Sequence, residues 1–246
     1  MKKAVVIGAS SGIGWALAFA LSKEGYAVGL TGRRVELLEE LWKALPGPGY
    51  VQQMDLARPD DARAAFHYLV EELGGVDLVV INSGIGYLKD GLDWETEKTT
   101  LAVNVTGFAA IATAALEIFQ KQEEGGHLVG ISSITALRGS PQAPAYSASK
   151  AFVSNYLEGI RCRLRQQGKD NIVITTIEPG FVDTDLVRGD PQFWTTTPTV
   201  AAKQICAAIR QRRSHAYVSR RWRLVAWFMK LVPGWLYWRG APSNHH

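Results

Sequence analysis

A chain of 246 residues is long enough for one large α/β unit or two small ones, with a substantial buried core. With 47% hydrophobic and 20% charged residues it has ordinary globular composition, which excludes a low-complexity or nucleic-acid-binding polybasic chain. Cys162 and Cys206 lack CxxC spacing and the five histidines form no ligand cluster, so reduced thiols are expected rather than a disulfide scaffold or a metal site. The net charge of +4 hides an asymmetry. From Pro191 onward there are nine Lys/Arg and no Asp/Glu, so the first 190 residues carry 18 basic against 23 acidic side chains. The same tail holds five of the eight tryptophans.

Met1-Lys2-Lys3 precedes an apolar stretch, but Gly8, Gly12 and Gly14 interrupt it as no signal peptide would. No uninterrupted apolar run approaches ~18 residues, so no membrane span is expected. The expected compartment is the cytoplasm, with membrane association through the tail as an open alternative.

Ala4 to Ile7 reads as a buried strand, followed by a glycine-rich turn and a helix from Ile13 to about Glu24. A turn of the form Gly8-Ala9-Ser10-Ser11-Gly12-Ile13-Gly14 lets backbone approach a diphosphate and aims helix N–H groups at it. Its spacing is G-x-x-x-G-x-G rather than the common G-x-G-x-x-G, and a plain βα turn would also use glycine. Ala27 to Thr31 is the second strand. It leads into Gly32-Arg33-Arg34, where NAD-binding folds commonly carry an acid for the ribose 2′-hydroxyl. Two guanidinium groups suit a 2′-phosphate instead, and cations are unfavourable at a helix start. Arg33 is the first candidate, with Arg34 and Ser10 behind it. NADP is therefore expected over NAD.

Further strands and helices alternate: a helix 35–45, a strand 50–54 leading to Asp55-Leu56, a helix 59–73, and a strand 78–81 ending Asn82-Ser83-Gly84. Then follow a long helix 97–122 with Asn104 in its apolar middle, and a strand 128–131 running into Ser132-Ser133. A helix from Tyr146 to about Gly168 leads to a strand 172–177 ending at Pro179, Gly180, Val182 and Thr184. A helix 199–210 and a strand 215–219 complete the pattern. This alternation predicts a doubly wound, Rossmann-type, mostly parallel sheet of about seven strands with helices on both faces. No linker-like break appears. Residues 1–219 read as one domain and 220–246 as its C-terminal extension.

In Tyr146-Ser147-Ala148-Ser149-Lys150, Tyr146 and Lys150 are i and i+4, so a helix projects them from one face. A neighbouring ammonium favours phenolate and is expected to lower the phenol pKa toward a range useful for acid–base work. The segment could also be only the start of an amphipathic helix, and Asn104 only a satisfied core amide.

Taken together, these motifs resemble the short-chain dehydrogenase/reductase family over residues 2 to 219. The resemblance implies that Gly8, Ser10, Ser11, Gly12, Ile13 and Gly14 form the cofactor loop. Asn82-Ser83-Gly84 stands where the family usually has N-A-G. It further implies a catalytic tetrad of Asn104, Ser133, Tyr146 and Lys150, with Ser133 chosen over Ser132 because it lies thirteen residues before Tyr146. Asp55, Leu56, Pro179, Gly180, Val182 and Thr184 would line the cofactor. In the implied mechanism Tyr146 passes a proton to the substrate oxygen, Ser133 holds that oxygen, Lys150 tunes Tyr146 and binds ribose, and Asn104 supports a water-linked proton path. The substrate would be a carbonyl compound or secondary alcohol, with a hydrophobic one favoured by the apolar Ile134, Ala136, Leu137, Pro141 and Pro144 and by loop 185–197. Family members commonly dimerise through helices equivalent to 97–122 and 147–167, so a homo-dimer or homo-tetramer is expected. The alternative from another class is a non-catalytic NADP-binding interaction protein on the same fold.

For the tail, a helix from Arg220 to Val232 has apolar residues around most of its circumference, which predicts burial on more than one side. It would then cover the substrate cleft or meet another subunit. Its Trp, Tyr, Arg and Lys content equally suits peripheral contact with an anionic bilayer.

Overall fold

The computed structural model describes residues 1–87, 91–184 and 194–240. Seven strands form one parallel sheet: β1 (Lys3–Ile7), β2 (Ala27–Gly32), β3 (Gly49–Gln53), β4 (Leu78–Ile81), β5 (Gly126–Ile131), β6 (Ile172–Pro179) and β7 (His215–Val218). Their spatial order is β3-β2-β1-β4-β5-β6-β7, so chain direction across the sheet reverses between β1 and β4. Helices α1 (Gly12–Lys23), α2 (Val35–Ala44) and α7 (Pro198–Arg210) cover one face. On the other lie α3 (Pro59–Leu73), α4 (Trp94–Leu101), α5 (Phe108–Phe119) and α6 (Pro144–Gln166). The doubly wound fold expected from the alternation is what forms.

Because both faces are covered, the central strands read as unbroken apolar runs whose side chains part at a period of two. Val5, Ile7, Val79 and Ile81 join Phe66, Phe108 and Leu157 in one core layer. Ala4, Val6, Leu78 and Val80 join Leu17, Leu38 and Ile205 in the other. Helix ends follow local chemistry. Pro59 opens α3 with Asp60 and Asp61 in its first turn, and Gly74, at φ +70°, closes it.

The expected helix 97–122 differs in two ways. It begins earlier, at Trp94, because the Asp93 carboxylate accepts from the Thr96 N–H and caps it. Between α4 and α5 the turns widen into a π segment, Ala102–Gly107. Contrary to the sequence expectation, the combined helix Trp94–Phe119 is long and apolar enough to span a membrane by length and composition, with mean hydropathy 1.7. The reason is that it lies in the layer covering the sheet, and half of its most apolar window is buried inside the fold.

The tail forms α8 (Trp222–Leu231) and α9 (Gly234–Gly240), broken at Pro233. Within the chain, α8 is buried on one side only. Trp222 and Ala226 are buried, but Leu224, Trp227, Phe228 and Leu231 are all more than 60% exposed. The helix follows the last strand at the edge of the sheet, so it has one wall to pack against: Ile134, Leu137, Phe181 and Tyr217.

Candidate active site

Parallel strands deliver their following loops to one edge, and the chain reversal between β1 and β4 opens a crevice there. Two adjoining cavities occupy it, of about 360 Å³ and 160 Å³, sharing Ser11, Asn82 and Gly84. The larger is lined by Gly8, Ser10, Arg33, Arg34, Asp55, Leu56 and Ser83, the smaller by Gly12, Ile13, Ser133, Tyr146, Lys150, Pro179, Gly180, Val182 and Thr184. All but two of the catalytic and cofactor residues expected from sequence therefore line one groove. The exceptions are Gly14 and Asn104, which stand behind it. A larger cavity, about 740 Å³, lies far from this chemistry between α5 and α6.

At the glycine turn, the Asn82 side-chain amide donates to the Gly8 carbonyl (2.9 Å), tying the end of β4 to the loop after β1. Gly14 is obligatory here for space: a β-carbon on it would collide with the Gly8 carbonyl and that Asn82 amide. The first turn of α1 leaves N–H groups uncapped, since the Ser11 side chain makes no capping bond. Together with Arg33 and Arg34 this donor set fits an anion. The Arg34 guanidinium donates to Ser10 Oγ (3.0 Å) and Ser11 Oγ (2.9 Å), whereas the Arg33 carbonyl accepts from Gln53. Among the described residues neither arginine has a carboxylate partner within an ion pair. Of the two, Arg34 is the one held against the loop, while both line the groove.

At the other end, Pro144 occupies the first turn of α6, so Tyr146 and Lys150 fall on its opening turns. The Ser133 hydroxyl lines the groove beside the Tyr146 phenol and favours its ionised form. Ser132 Oγ is committed elsewhere, donating to the Lys150 carbonyl (2.7 Å) beside Ser154 Oγ. Ser133 Oγ accepts from the Thr135 N–H at 3.2 Å and lines the groove with Tyr146. Lys150 is 4% exposed, and its Nζ donates to the Ile131 carbonyl at 3.0 Å. Asn104, within the π segment, holds both sides of Ile85: its Oδ1 accepts from the Ile85 N–H (2.9 Å) and its Nδ2 donates to the Ile85 carbonyl (2.7 Å). The same Nδ2 donates to Ser149 Oγ (2.9 Å), and Ser149 donates to the Tyr146 carbonyl (2.7 Å).

One electrostatic expectation is reversed. Burial pushes the Tyr146 phenol up, to about 12, and the neighbouring Ser133 hydroxyl offsets only part of that rise. The residue is half-buried as a whole, but its hydroxyl sits deep enough for desolvation to dominate. Burial also lowers the Lys150 ammonium to about 8. Its Nζ lies 5.6 Å from the centre of the Tyr146 ring and is aimed at a carbonyl, so it does not offset the burial of the phenol.

The apolar segment after Ser133 also departs from expectation. It forms a 3₁₀ turn, Ile134–Leu137, in which Ile134 is buried against Trp222 and Ala226 rather than lining the groove. Of loop 185–197, positions 185–193 lie outside the described residues. Sequence reasoning missed Ile131, whose carbonyl fixes Lys150, and Ser149, which links Asn104 to the Tyr146 turn. It also missed Trp222, whose indole lies so close against Gly180 that any β-carbon there would collide with it. Only Ser149 carried a signal, being inside the Tyr146–Lys150 stretch.

The family model for short chain dehydrogenases matches residues 2–193. The chain belongs to the short-chain dehydrogenase family. It is 38% identical over 190 residues to an uncharacterised oxidoreductase of Myxococcus xanthus, covering 75% of this chain and 74% of that one. It is 34% identical over 195 residues to a farnesol dehydrogenase of Aedes aegypti, covering 76% and 79%. Among solved structures, an alcohol dehydrogenase from the archaeon Thermococcus sibiricus, complexed with 5-hydroxy-NADP, superposes with a TM-score of 0.76 at 26% identity, covering 88% of this chain and 95% of that one. A short-chain dehydrogenase from Burkholderia phymatum in complex with NAD has the same fold, with a TM-score of 0.81 at 24% identity and coverage of 92% and 91%. The protein is accordingly an oxidoreductase of the short-chain dehydrogenase family on a Rossmann-type nucleotide-binding fold.

Proposed function

We propose that this oxidoreductase uses NADP to interconvert a hydrophobic carbonyl compound and its secondary alcohol, with Tyr146 as the proton donor and acceptor. The observation that carries the reading is the continuity of the groove. It runs from two arginines with no carboxylate ion-pair partner among the described residues, past uncapped helix N–H groups, to Ser133 and Tyr146 side by side in the smaller cavity.

Arg34, held by Ser10 and Ser11, and Arg33 beside it would grip the 2′-phosphate. The first turn of α1 would take the diphosphate. Asp55 and Leu56 would flank the adenosine end, and Pro179, Gly180, Val182 and Thr184 the nicotinamide end. When bound, the nicotinamide supplies or accepts the hydride. The protein's part is placement and proton handling. Ser133 and Tyr146 offer two hydroxyls to a carbonyl oxygen on which charge develops during reduction. Tyr146, protonated at neutral pH, gives up its proton to that oxygen. Lys150, a buried cation held by the Ile131 carbonyl one helical turn from Tyr146, would take the ribose hydroxyls of the bound cofactor. Asn104 keeps the loop after β4 and the Tyr146 turn in register. The name of the Aedes aegypti relative supports a hydrophobic alcohol as the substrate class. Subunit pairing through the grooved face of α5 and α6 is the assembly that this surface suits.

The cofactor half of the reading is tested by titrating the protein with NADPH and NADH. Tighter binding of NADPH is expected. An equal or stronger response to NADH would overturn the assignment of the arginines.

A further inference from the structure

The exposed side of the C-terminal helices has no role in the groove, and its chemistry is unusual for a surface. At 3.6 residues per turn, Trp222, Val225, Ala226 and Met229 form one stripe of α8, and Leu224, Trp227, Phe228 and Leu231 form another on the opposite side. The first stripe is seated on the fold. Trp222 meets Phe181 edge-on, with ring centres 5.3 Å apart, and lies against Gly180. Arg138 donates to the carbonyls of Met229 and Val232, and the Tyr237 hydroxyl donates to the Gly139 carbonyl at 2.9 Å. The helix is therefore fixed in orientation by its inner stripe and its C-terminal end.

The outer stripe faces away from the fold. Leu224 is 70% exposed, Trp227 66%, Phe228 62% and Leu231 61%, and Trp235 of α9 is exposed at 58%. Contiguous large apolar residues on a surface mark an interaction site. Arg220, Arg221 and Arg223 surround the start of α8, all exposed, and among the described residues none is in an ion pair. No acidic residue follows Asp190 in the chain.

From these features we infer that the outer face of α8 and α9 docks on the surface of an anionic lipid bilayer. Leu224, Phe228 and Leu231 enter the acyl boundary, Trp227 and Trp235 sit at headgroup depth, and the arginines meet lipid phosphates. Charge decides against a second copy of the chain as the occupant. A two-fold contact places the same patch on both partners, so the arginines of one would face those of the other without an acid to relieve them. A bilayer supplies the missing negative charge. Neither short helix can span it, so attachment is peripheral and weakens as salt screens the phosphates. The inference does not depend on the reaction proposed for the groove.

Co-sedimentation of the full chain with phosphatidylcholine vesicles, with and without phosphatidylglycerol, tests it. Binding is expected only with phosphatidylglycerol and at low salt, and should be lost near ~1 M salt, where screening acts within about 3 Å. Each basic side chain near such a surface is worth about five-fold in affinity, so a triple variant with Arg220→Gln, Arg221→Gln and Arg223→Gln should bind about a hundred-fold more weakly. Trp227→Glu with Phe228→Glu should abolish binding while NADPH affinity stays at the wild-type value. Wild-type protein that ignores the anionic vesicles at low salt overturns the inference without any variant having to fold. So does binding that survives the Trp227/Phe228 change, or a concentration-dependent dimer dispersed by that change in place of vesicle binding.

Discussion

Lys150 and Tyr146 stand one helical turn apart, yet the ammonium is aimed past the phenol: Nζ lies 5.6 Å from the ring centre and donates to the Ile131 carbonyl. Burial therefore sets both acidities, with the phenol raised to about 12 and the ammonium lowered to about 8. A protonated phenol is the form that donates in carbonyl reduction, whereas alcohol oxidation needs the phenolate, whose fraction grows about ten-fold per pH unit below the pKa. Alcohol oxidation should thus climb steeply with pH. Carbonyl reduction should be level at neutral pH and decline as Lys150 loses its charge above about 8. Initial rates in both directions across this range check the assignment, and an oxidation rate independent of pH would refute it.

The same lysine has a signature in stability. Its folded pKa is lowered, so between about 8 and its ordinary 10.5 the unfolded chain binds the extra proton, and stability rises with pH through that window. Lys150→Met should remove the rise measured by denaturant unfolding, and should not destabilise the protein at neutral pH because a buried charge is lost. Its turnover should nevertheless collapse. A variant that keeps the pH-dependent rise would place the titrating group elsewhere.

Arg34 is tied to both serines of the glycine turn and Arg33 is not. Arg34→Ala should weaken NADPH by roughly 1.5–3 kcal/mol, the loss of one charged hydrogen-bonding partner, and NADH far less. Arg33→Ala should have the smaller effect of the two. Calorimetric titration of each variant with both cofactors measures this, and equal losses for NADPH and NADH would contradict it.

Trp222 joins the tail to the turn after β6. It is 6% exposed and packed on Gly180 and Phe181. Trp222→Ala should cost about 3–5 kcal/mol, typical of a large buried aromatic, and should raise the KM for cofactor as the Gly180 turn loosens. Unchanged stability would mean that the tail is not anchored there.

Much of this was legible in the residues because the physics is local. Alternating apolar runs and glycine stops gave the strands, and Pro59 and Gly74 bracketed α3. Strand topology then forced Gly8, Asn82, Ser133 and Pro179 to one edge. What the sequence left hidden depends on distant partners. The π segment around Asn104 keeps an ordinary apolar helical pattern, and only its bonds to Ile85 and Ser149 reveal its purpose. That Arg34 and not Arg33 is bonded to Ser10 and Ser11 turns on side-chain direction. The i and i+4 spacing of Tyr146 and Lys150 gave their proximity correctly, but the depth of burial set the sign of the phenol's shift. In α8, apolar residues all round the helix suggested burial all round, whereas its place at the sheet edge supplies one wall.

The most direct test of the account is NADPH oxidation by Tyr146→Phe against a panel of hydrophobic ketones, beside the wild-type protein. The substitution removes the hydroxyl and little volume. The account predicts wild-type turnover on at least one ketone, loss of that turnover by about 10²–10⁴-fold in the variant, as expected for removing a positioned acid, and unchanged NADPH affinity. A variant that binds NADPH normally and reduces the same ketone at near wild-type rate would contradict it.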